Sequence, residues 1–118
     1  MGKPCRKEDT NMVRKINSDE FKELLSTSEK PMIVDFYANW CVPCKMMAPV
    51  VSQVAEENRE TILVAKIDIE ENPDIALEYR VLSIPALLFI KGGEVIGRIE
   101  GIESKTFVDQ KIKKYFSE

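Results

Sequence analysis

Two cysteines separated by two residues, Cys41 and Cys44, are the residues of this sequence best placed to do chemistry. They follow an apolar run that predicts a buried strand, and they lie where a helix should begin. At this spacing on a helix the two Cβ atoms are about 5–6 Å apart, whereas a disulfide needs roughly 3.5–4.5 Å. A slightly tightened first turn would therefore close the bond with little strain. The spacing favours a reversible bond over a permanent staple.

The predicted position of each cysteine gives it a different reactivity. Cys41 falls at the helix N-terminus, where unpaired N–H groups and the helix dipole favour a thiolate that attacks disulfides at neutral pH. Pro43, in the first turn, removes no helical hydrogen bond. Cys44 lies one turn deeper, where a thiol stays protonated longer. This asymmetry predicts that Cys41 attacks and that Cys44 resolves the mixed disulfide.

The composition excludes several other kinds of site. The 118 residues include no histidine, which excludes Cys–His and Ser–His nucleophilic chemistry and zinc sites that need imidazole. A thiolate zinc site would need Cys5 as its third ligand and would still lack a fourth, so we expect no metal. The formal net charge of −3 gives no electrostatic argument for binding nucleic acid or an anionic membrane. No apolar run approaches the roughly 20 residues of a membrane-spanning helix.

Hydrophobic periodicity and turn residues predict one α/β domain with the element order β-α-β-α-β-α-β-β-α. Helices should cover both faces of a central mixed sheet, giving a three-layer α/β/α sandwich. Residues 1–10 are expected to form a flexible tail, and 11–118 the domain. The predicted elements are strand 12–16, helix 17–26, strand 32–38, helix 41–59, strand 61–67, helix 72–79, strand 86–90, turn 91–94, strand 95–100 and helix 104–116.

A long motif around the two cysteines resembles the thioredoxin family. Residues 34–49 are Val-Asp-Phe-Tyr-Ala-Asn-Trp-Cys-Val-Pro-Cys-Lys-Met-Met-Ala-Pro, which matches the family motif almost residue for residue. The family's later motifs follow at the expected intervals as Ser83-Ile-Pro-Ala86, Lys91-Gly-Gly-Glu94 and Gly101. The resemblance covers about residues 12–116. It implies the thioredoxin fold and a thiol–disulfide oxidoreductase that needs no bound cofactor.

The resemblance also implies roles for residues beyond the cysteines. Asp35 would be the buried carboxylate behind Cys44, Lys66 its charged neighbour, and Pro85 a cis-proline facing the disulfide. Each has a plainer interpretation: a hydrogen-bonded core residue, a surface lysine and an ordinary proline at the start of a strand. Behind a redox pair, burial should raise the pKa of Asp35 toward the working range of a base, and we favour that interpretation.

An apolar surface around the pair is expected to bind an extended segment of an oxidised client protein. Main-chain hydrogen bonds near Ile84 would add the client as a short strand. The expected partners are disulfide-containing clients and, by the resemblance, a thioredoxin reductase, and we expect a monomer. The residues assigned to this surface are Trp40, Val42, Pro43, Ile84, Pro85 and Gly101.

The chain departs from the family pattern at two positions. Val42 stands where the family usually has Gly, and a β-branched residue there stiffens the turn and adds apolar bulk. Ala86 stands where the family usually has Thr, and we expect a small effect. Cys5, the odd thiol, is expected to be a non-functional exposed cysteine, with regulatory glutathionylation or intermolecular pairing as alternatives.

Two other functions remain open from the sequence. A same-fold oxidase or isomerase in an oxidising compartment would use the same residues, because the direction of exchange depends on the reduction potential. A non-catalytic binding module would use the fold as a scaffold, and the presence of both cysteines, Asp35 and Pro85 argues against it. The near-complete motif, together with N-terminal residues that lack the apolar stretch of a signal peptide, favours a cytoplasmic reductase.

Overall fold

The computed structural model describes residues 12–117, so the predicted tail over residues 1–10 and Cys5 lie outside the described residues. Within this part of the chain the elements follow the predicted order. The strands are β1 (Arg14–Lys15), β2 (Met32–Tyr37), β3 (Leu63–Asp68), β4 (Ala86–Lys91) and β5 (Glu94–Glu100). The helices are α1 (Ser18–Thr27), α2 (Val42–Glu57), α3 (Pro73–Glu78) and α4 (Lys105–Phe116).

The strands of the described region form one mixed sheet in the order β1-β3-β2-β4-β5. Strands β1, β3 and β2 run parallel, β4 is antiparallel to β2, and β5 is antiparallel to β4. Helices α1 and α3 pack on one face, whereas α2 and α4 pack on the other. The predicted three-layer α/β/α sandwich is therefore confirmed. No helix between residues 12 and 117 has the length and apolar character needed to cross a bilayer.

Strand β2 sends alternate side chains to the two faces of the sheet. Val34 and Phe36 lie in the core beneath α1 and α3, and Ile33 lies in the core beneath α2 and α4. Asp35 points to the same face as Ile33, because side chains alternate along a strand. Residues 32–36 are all buried, as a continuous apolar run predicts for a central strand.

Two predicted strands are shorter or shifted in the structure. The strand predicted over 61–67 begins at Leu63, because the amides of Thr61 and Ile62 donate to the carbonyl of Asn58 at 3.0 and 2.8 Å and so close the end of α2. The strand predicted over 12–16 pairs as a ladder only through Arg14–Lys15. The helices end within one or two residues of their predicted bounds.

The turn between β4 and β5 is tighter than predicted. Lys91 and Glu94 are paired strand residues, so the connection is reduced to Gly92 and Gly93. Both glycines have positive φ, +62° and +81°. This backbone suits a two-residue hairpin and is accessible to glycine because it lacks a Cβ. The β4–β5 register shifts once, between Phe89 and Ile90, before β4 reaches its first residue next to Pro85.

Candidate redox site

The two cysteines lie at the N-terminus of α2 and are joined by a disulfide, with their Cα atoms 5.2 Å apart. Cys41 is the N-cap residue of the helix. Its Sγ accepts a hydrogen bond from the backbone N–H of Cys44 at 3.1 Å. The same donor would stabilise a thiolate on Cys41 after reduction, because a charge-assisted hydrogen bond and the helix dipole both favour negative charge at this position.

The partners of the two sulfurs differ more than their burial does. Cys41 and Cys44 are 4% and 5% exposed in the oxidised protein, so depth alone does not distinguish them. Cys41 Sγ lies 3.9 Å from the carbonyl oxygen of Ile84 and next to an exposed apolar surface. Cys44 instead lines a partly open cavity that Asp35 also lines. One cysteine therefore lies beside the exposed apolar residues and the other beside a titratable carboxyl.

The Ile84–Pro85 peptide bond is cis, as the resemblance implies. Ile84 is partly buried and packs against the small cluster formed by Ala38 and the two cysteines. The carbonyl of Pro85 accepts a hydrogen bond from the backbone N–H of Gly101 at 2.8 Å, and Gly101 has a φ of +93°. Gly101 therefore supports the proline-bearing loop from behind through its backbone.

The rim of the disulfide is apolar and exposed. Trp40 and Val42 are each 62% exposed, and Pro43 is exposed beside them. The indole N–H of Trp40 donates to the carboxylate of Glu70, which restrains the ring. Leu82, three residues before Pro85, is 88% exposed. Leu82 was missed from sequence, although an apolar residue so close to the proline motif was the available signal.

Asp35 is the buried charge of the site. It is 5% exposed, and its Oδ1 finds no hydrogen-bond partner within residues 12–117. A cavity of about 160 Å³ opens between Asp35, Cys44 and Lys66, and a second, of about 60 Å³, lies on the α2 side of the same carboxyl. Burial raises the pKa of Asp35 to about 7, although the positive charge of Lys66 lowers it. A carboxyl with this pKa can exchange protons near neutral pH.

Lys66 and Tyr37 lie near Asp35 on the face of the sheet that α2 and α4 cover. Lys66 pairs with Asp35 across β2 and β3, so the two side chains share one face of the sheet. Lys66 is partly buried, so it is neither fully exposed to solvent nor enclosed within the site. Its ammonium lies 5.6 Å from the centre of the Tyr37 ring. Tyr37 was missed from sequence, although its place two residues after Asp35 put it on the same strand face.

Other parts of the described surface offer less chemistry. Within residues 12–117 no group of three or more Cys, Asp or Glu residues is arranged to hold a metal ion. The larger grooves, one of about 530 Å³, lie at the other end of the sheet and contain no cysteine. The disulfide and the adjoining cavity are therefore the candidate functional site.

Comparison with known proteins agrees with this geometry. A family model described as Thioredoxin matches residues 12–114. The chain is 39% identical over 105 residues to a thioredoxin from Porphyra purpurea, covering 89% of this chain and 98% of that protein. It is 41% identical over 104 residues to a thioredoxin from Listeria monocytogenes, covering 88% and 99%.

Two further matches extend the comparison. A bifunctional thioredoxin reductase/thioredoxin from Mycobacterium leprae is 47% identical over 85 residues, which are 72% of this chain and 18% of that protein. Among solved structures, a chain from work on thiol resolution in a yeast mitochondrial 1-Cys peroxiredoxin via glutathione/thioredoxin systems superposes with a TM-score of 0.77. It is 34% identical, and the match covers 86% of this chain and 94% of that one.

Proposed function

The chain belongs to the thioredoxin family and is a thiol–disulfide oxidoreductase, and from this premise we propose that it reduces disulfides in client proteins through Cys41 and Cys44. One observation carries the proposal. The Cys41–Cys44 disulfide lies at the N-terminus of α2 with an apolar rim outside it and the titratable carboxyl of Asp35 in the cavity behind it. Such a site needs no bound cofactor, because the two thiols themselves carry the electrons.

The first step is attack by the reduced protein on a client. The Cys41 thiolate, stabilised by the helix N-terminus, forms a bond to one sulfur of the client disulfide. The client S–S bond breaks, and the departing client thiolate takes a proton from solvent. The product is a mixed disulfide between Cys41 and the client, with Cys44 still a thiol.

The second step resolves the mixed disulfide. The Asp35 carboxylate accepts the proton of Cys44 across the cavity that the two side chains share. The Cys44 thiolate then attacks Cys41 Sγ, which forms the Cys41–Cys44 bond and expels the second client thiolate. The client gains two electrons, and this protein becomes the disulfide. A pKa of about 7 suits Asp35 to this task, and the charge of Lys66 prevents a larger rise.

The client is proposed to dock as an extended segment over the apolar rim. The partly buried backbone at Ile84, beside Cys41, offers main-chain hydrogen bonds to such a segment. Trp40 and Val42 supply exposed apolar area, with Pro43 at the first turn of α2 and Pro85, supported by Gly101, at the base of the loop. The bulk of Val42 beside Cys41 favours clients that present an apolar residue there.

The reduced state is proposed to be restored by a thioredoxin reductase. The Mycobacterium leprae relative is named as both a thioredoxin reductase and a thioredoxin, which supports pairing of the two activities. A monomeric state and a cytoplasmic location stay predictions from the sequence.

Turnover of insulin in the presence of dithiothreitol tests the assignment of the two cysteines. Reduced protein should accelerate insulin reduction, and Cys41→Ser should abolish this acceleration. Cys44→Ser should instead accumulate a mixed disulfide that survives non-reducing electrophoresis. Faster alkylation of Cys41→Ser than of Cys44→Ser at neutral pH would mean that the two roles are reversed. Full activity of Cys41→Ser in the cell would indicate a binding module.

The direction of exchange is tested by the reduction potential of the Cys41–Cys44 pair in glutathione buffers. A reductase of this fold is expected to have a potential near that of thioredoxins, about −270 mV, whereas disulfide isomerases and oxidases lie at about −180 to −120 mV. A more oxidising value would place the protein with the disulfide oxidases or isomerases of the same fold. Client reduction would then be the wrong physiological direction even if insulin is turned over.

A further inference from the structure

Four polar side chains form a compact group on the α2 face of the sheet. Asp35 and Tyr37 alternate along β2, and they pair with Lys66 and Asp68 of β3. All four side chains therefore point to one face. Asp35, Tyr37 and Lys66 also line the cavity that reaches Cys44. The ring of Tyr37 is thus placed to act on the lysine that neighbours the proposed base.

A lysine in this position needs something to hold it. Its ammonium sits on a flexible four-carbon stem and is strongly hydrated, so a partly buried lysine tends to turn toward water. On the outer side of Lys66 the next residue in the row is Lys15 of β1, which offers a like charge. The ring of Tyr37 instead offers its negative face, with the ammonium 5.6 Å from the ring centre, inside the range of a cation–π contact.

We propose that Tyr37 is a positioning residue for the reaction, whose ring holds the Lys66 ammonium at the mouth of the Asp35 cavity. The inference rests on the proposed function, because it concerns the proton that Cys44 gives up during resolution. Tyr37 also packs against the cluster of Ala38, Cys41 and Cys44, but its proposed effect on proton transfer acts through Lys66. Without it, the ammonium moves to solvent and its effect on Asp35 is screened.

The other charged groups around this cluster do not replace Lys66. Lys45 of α2 lines the same cavity but is exposed. Lys15 is drawn to Glu71, with which it forms an ion pair at 3.4 Å. Burial raises the pKa of Tyr37, an effect that Asp68, Glu71 and Asp35 reinforce and Lys15 opposes. The phenol therefore stays neutral at working pH and brings no charge of its own to Asp35.

Titration of Asp35 in the oxidised protein, followed by the NMR signal of its side-chain carboxyl carbon, tests the inference directly. Tyr37→Leu should shift the titration of Asp35 upward by about half a pH unit or more, because a positive charge near the carboxylate is lost. Tyr37→Phe keeps the ring face and should leave the titration at the wild-type value. Tyr37→Met is the second variant if Tyr37→Leu does not fold.

A double-mutant cycle shows whether the ring acts through Lys66. Lys66→Gln alone should shift the titration upward as Tyr37→Leu does, and adding Tyr37→Leu to it should cause no further shift. An equal shift with and without Lys66 would overturn the inference, since the ring would then act by controlling hydration of the cavity. A shift of the same size in Tyr37→Phe would also overturn it, since the hydroxyl would be the active group.

The pH profile of insulin turnover connects the titration to function. In Tyr37→Leu the acid limb should move to higher pH together with the Asp35 titration, whereas in Tyr37→Phe it should not move. If the wild type turns insulin over but the limb of Tyr37→Leu stays in place, the inference is wrong and the proposed function stands. If the wild type does not turn insulin over, the proposed function is wrong, and the titration still decides whether Tyr37 holds Lys66.

Discussion

The two faces of the central sheet use the same strands for different purposes. The face beneath α1 and α3 is built mainly from apolar side chains, including Val34 and Phe36 of β2. Its buried Asn72 is hydrogen-bonded to Ser18 of α1. The face beneath α2 and α4 is apolar toward one end but carries Asp35 and Lys66 at the end nearest the disulfide. Neighbouring residues of β2 therefore contribute to the packed core on one face and to the proposed reaction on the other.

The difference shows where the fold gains stability and where it gives some up. Full burial of an apolar side chain of the size of Phe or Leu stabilises by about 1.5–3 kcal/mol, and the α1/α3 face contains many such residues. A buried carboxyl with an oxygen that lacks a hydrogen bond within residues 12–117 destabilises instead. We infer that the packed face supplies the stability that lets the other face keep Asp35.

The largest effect should follow truncation of a packed aromatic on the apolar face. Phe21 is fully buried and meets the rings of Phe36 and Tyr79 edge to face. Phe21→Ala should lower the free energy of unfolding by about 3–5 kcal/mol, because it leaves a cavity in a rigid core. Urea denaturation measures this loss, and insulin turnover per folded molecule should stay at the wild-type level.

Phe89→Ala is the matched control on the opposite face. Phe89 is also fully buried, but it packs against Tyr115 and Phe116 of α4 at the end away from the disulfide. It should cost a similar amount of stability and also leave turnover unchanged. A large fall in turnover for Phe21→Ala alone would break the comparison, since the apolar face would then be part of the chemistry.

The sequence was sufficient for the features that rest on local signals. Alternation and apolar runs predicted the order of the elements, and the helices predicted to start at residues 17 and 104 follow the N-caps Asn17 and Ser104 in the structure. The cysteine spacing and the strand before it predicted the redox pair at the start of α2. Asp35 was identifiable because a single charge interrupts a buried run.

The features that the sequence left undecided depend on contacts between distant residues. Without the family resemblance, Lys66 has the pattern of a surface lysine, and its pairing with Asp35 follows from the β2–β3 register. The Trp40–Glu70 hydrogen bond and the Lys66–Tyr37 contact each join residues about thirty positions apart. The start of β3 depends on the carbonyl of Asn58, which no local pattern indicates.

Replacing Asp35 should change the free energy of unfolding in the opposite direction from replacing an apolar core residue. Asp35→Ala removes a desolvated carboxyl and leaves a small cavity. The oxidised protein should therefore gain stability on the order of 1–4 kcal/mol, as buried ionic groups often do on apolar replacement. The denaturant midpoint at pH 8 measures the gain. A loss of stability with full activity would make Asp35 an ordinary hydrogen-bonded core residue.

The gain in Asp35→Ala should depend on pH in a defined direction. The pKa of Asp35 is raised from 3.8 to about 7 in the folded protein, so the folded state holds the proton more tightly than the unfolded state. The wild type should therefore lose stability relative to Asp35→Ala as pH rises from about 4 to about 7, at no more than about 1.4 kcal/mol per pH unit. Paired urea titrations across this window measure the difference, which should be constant above it.

The rate of turnover should show the proposed contribution of Asp35 to the reaction. Asp35→Ala should lower the rate of insulin reduction, because Cys44 then loses its proton without a neighbouring base. Below pH 7 the fraction of Asp35 that is a carboxylate rises with pH in the wild type, and the unassisted deprotonation of Cys44 rises with pH in the variant. The ratio of wild-type to variant rates should therefore be largest and nearly constant there. Above pH 7 the wild type should level off while the variant continues to gain, and the ratio should shrink. A ratio that grows into the alkaline range would contradict the base assignment.

The smallest effect should come from the helix caps, which both faces share. Asn17 closes α1 with a capping box: its Oδ1 accepts from the amide of Glu20 at 2.8 Å, and its own amide donates to Glu20 Oε1 at 2.9 Å. Ser104 Oγ accepts from the amide of Phe107 at 3.1 Å at the start of α4. Asn17→Ala and Ser104→Ala should each lower the free energy of unfolding by about 1 kcal/mol and leave insulin turnover unchanged.

Cys41 is also an N-cap, at the start of α2, but unlike Asn17 and Ser104 it has a second role. Its Sγ accepts from the amide of Cys44 as a capping oxygen would, but the same atom carries the proposed reaction. Asn17→Ala and Ser104→Ala should therefore change stability alone, whereas Cys41→Ser should keep a capping hydroxyl and lose turnover. Equal losses of turnover in all three variants would mean that activity follows general stability, and the contrast between a packed face and a reactive one would not hold.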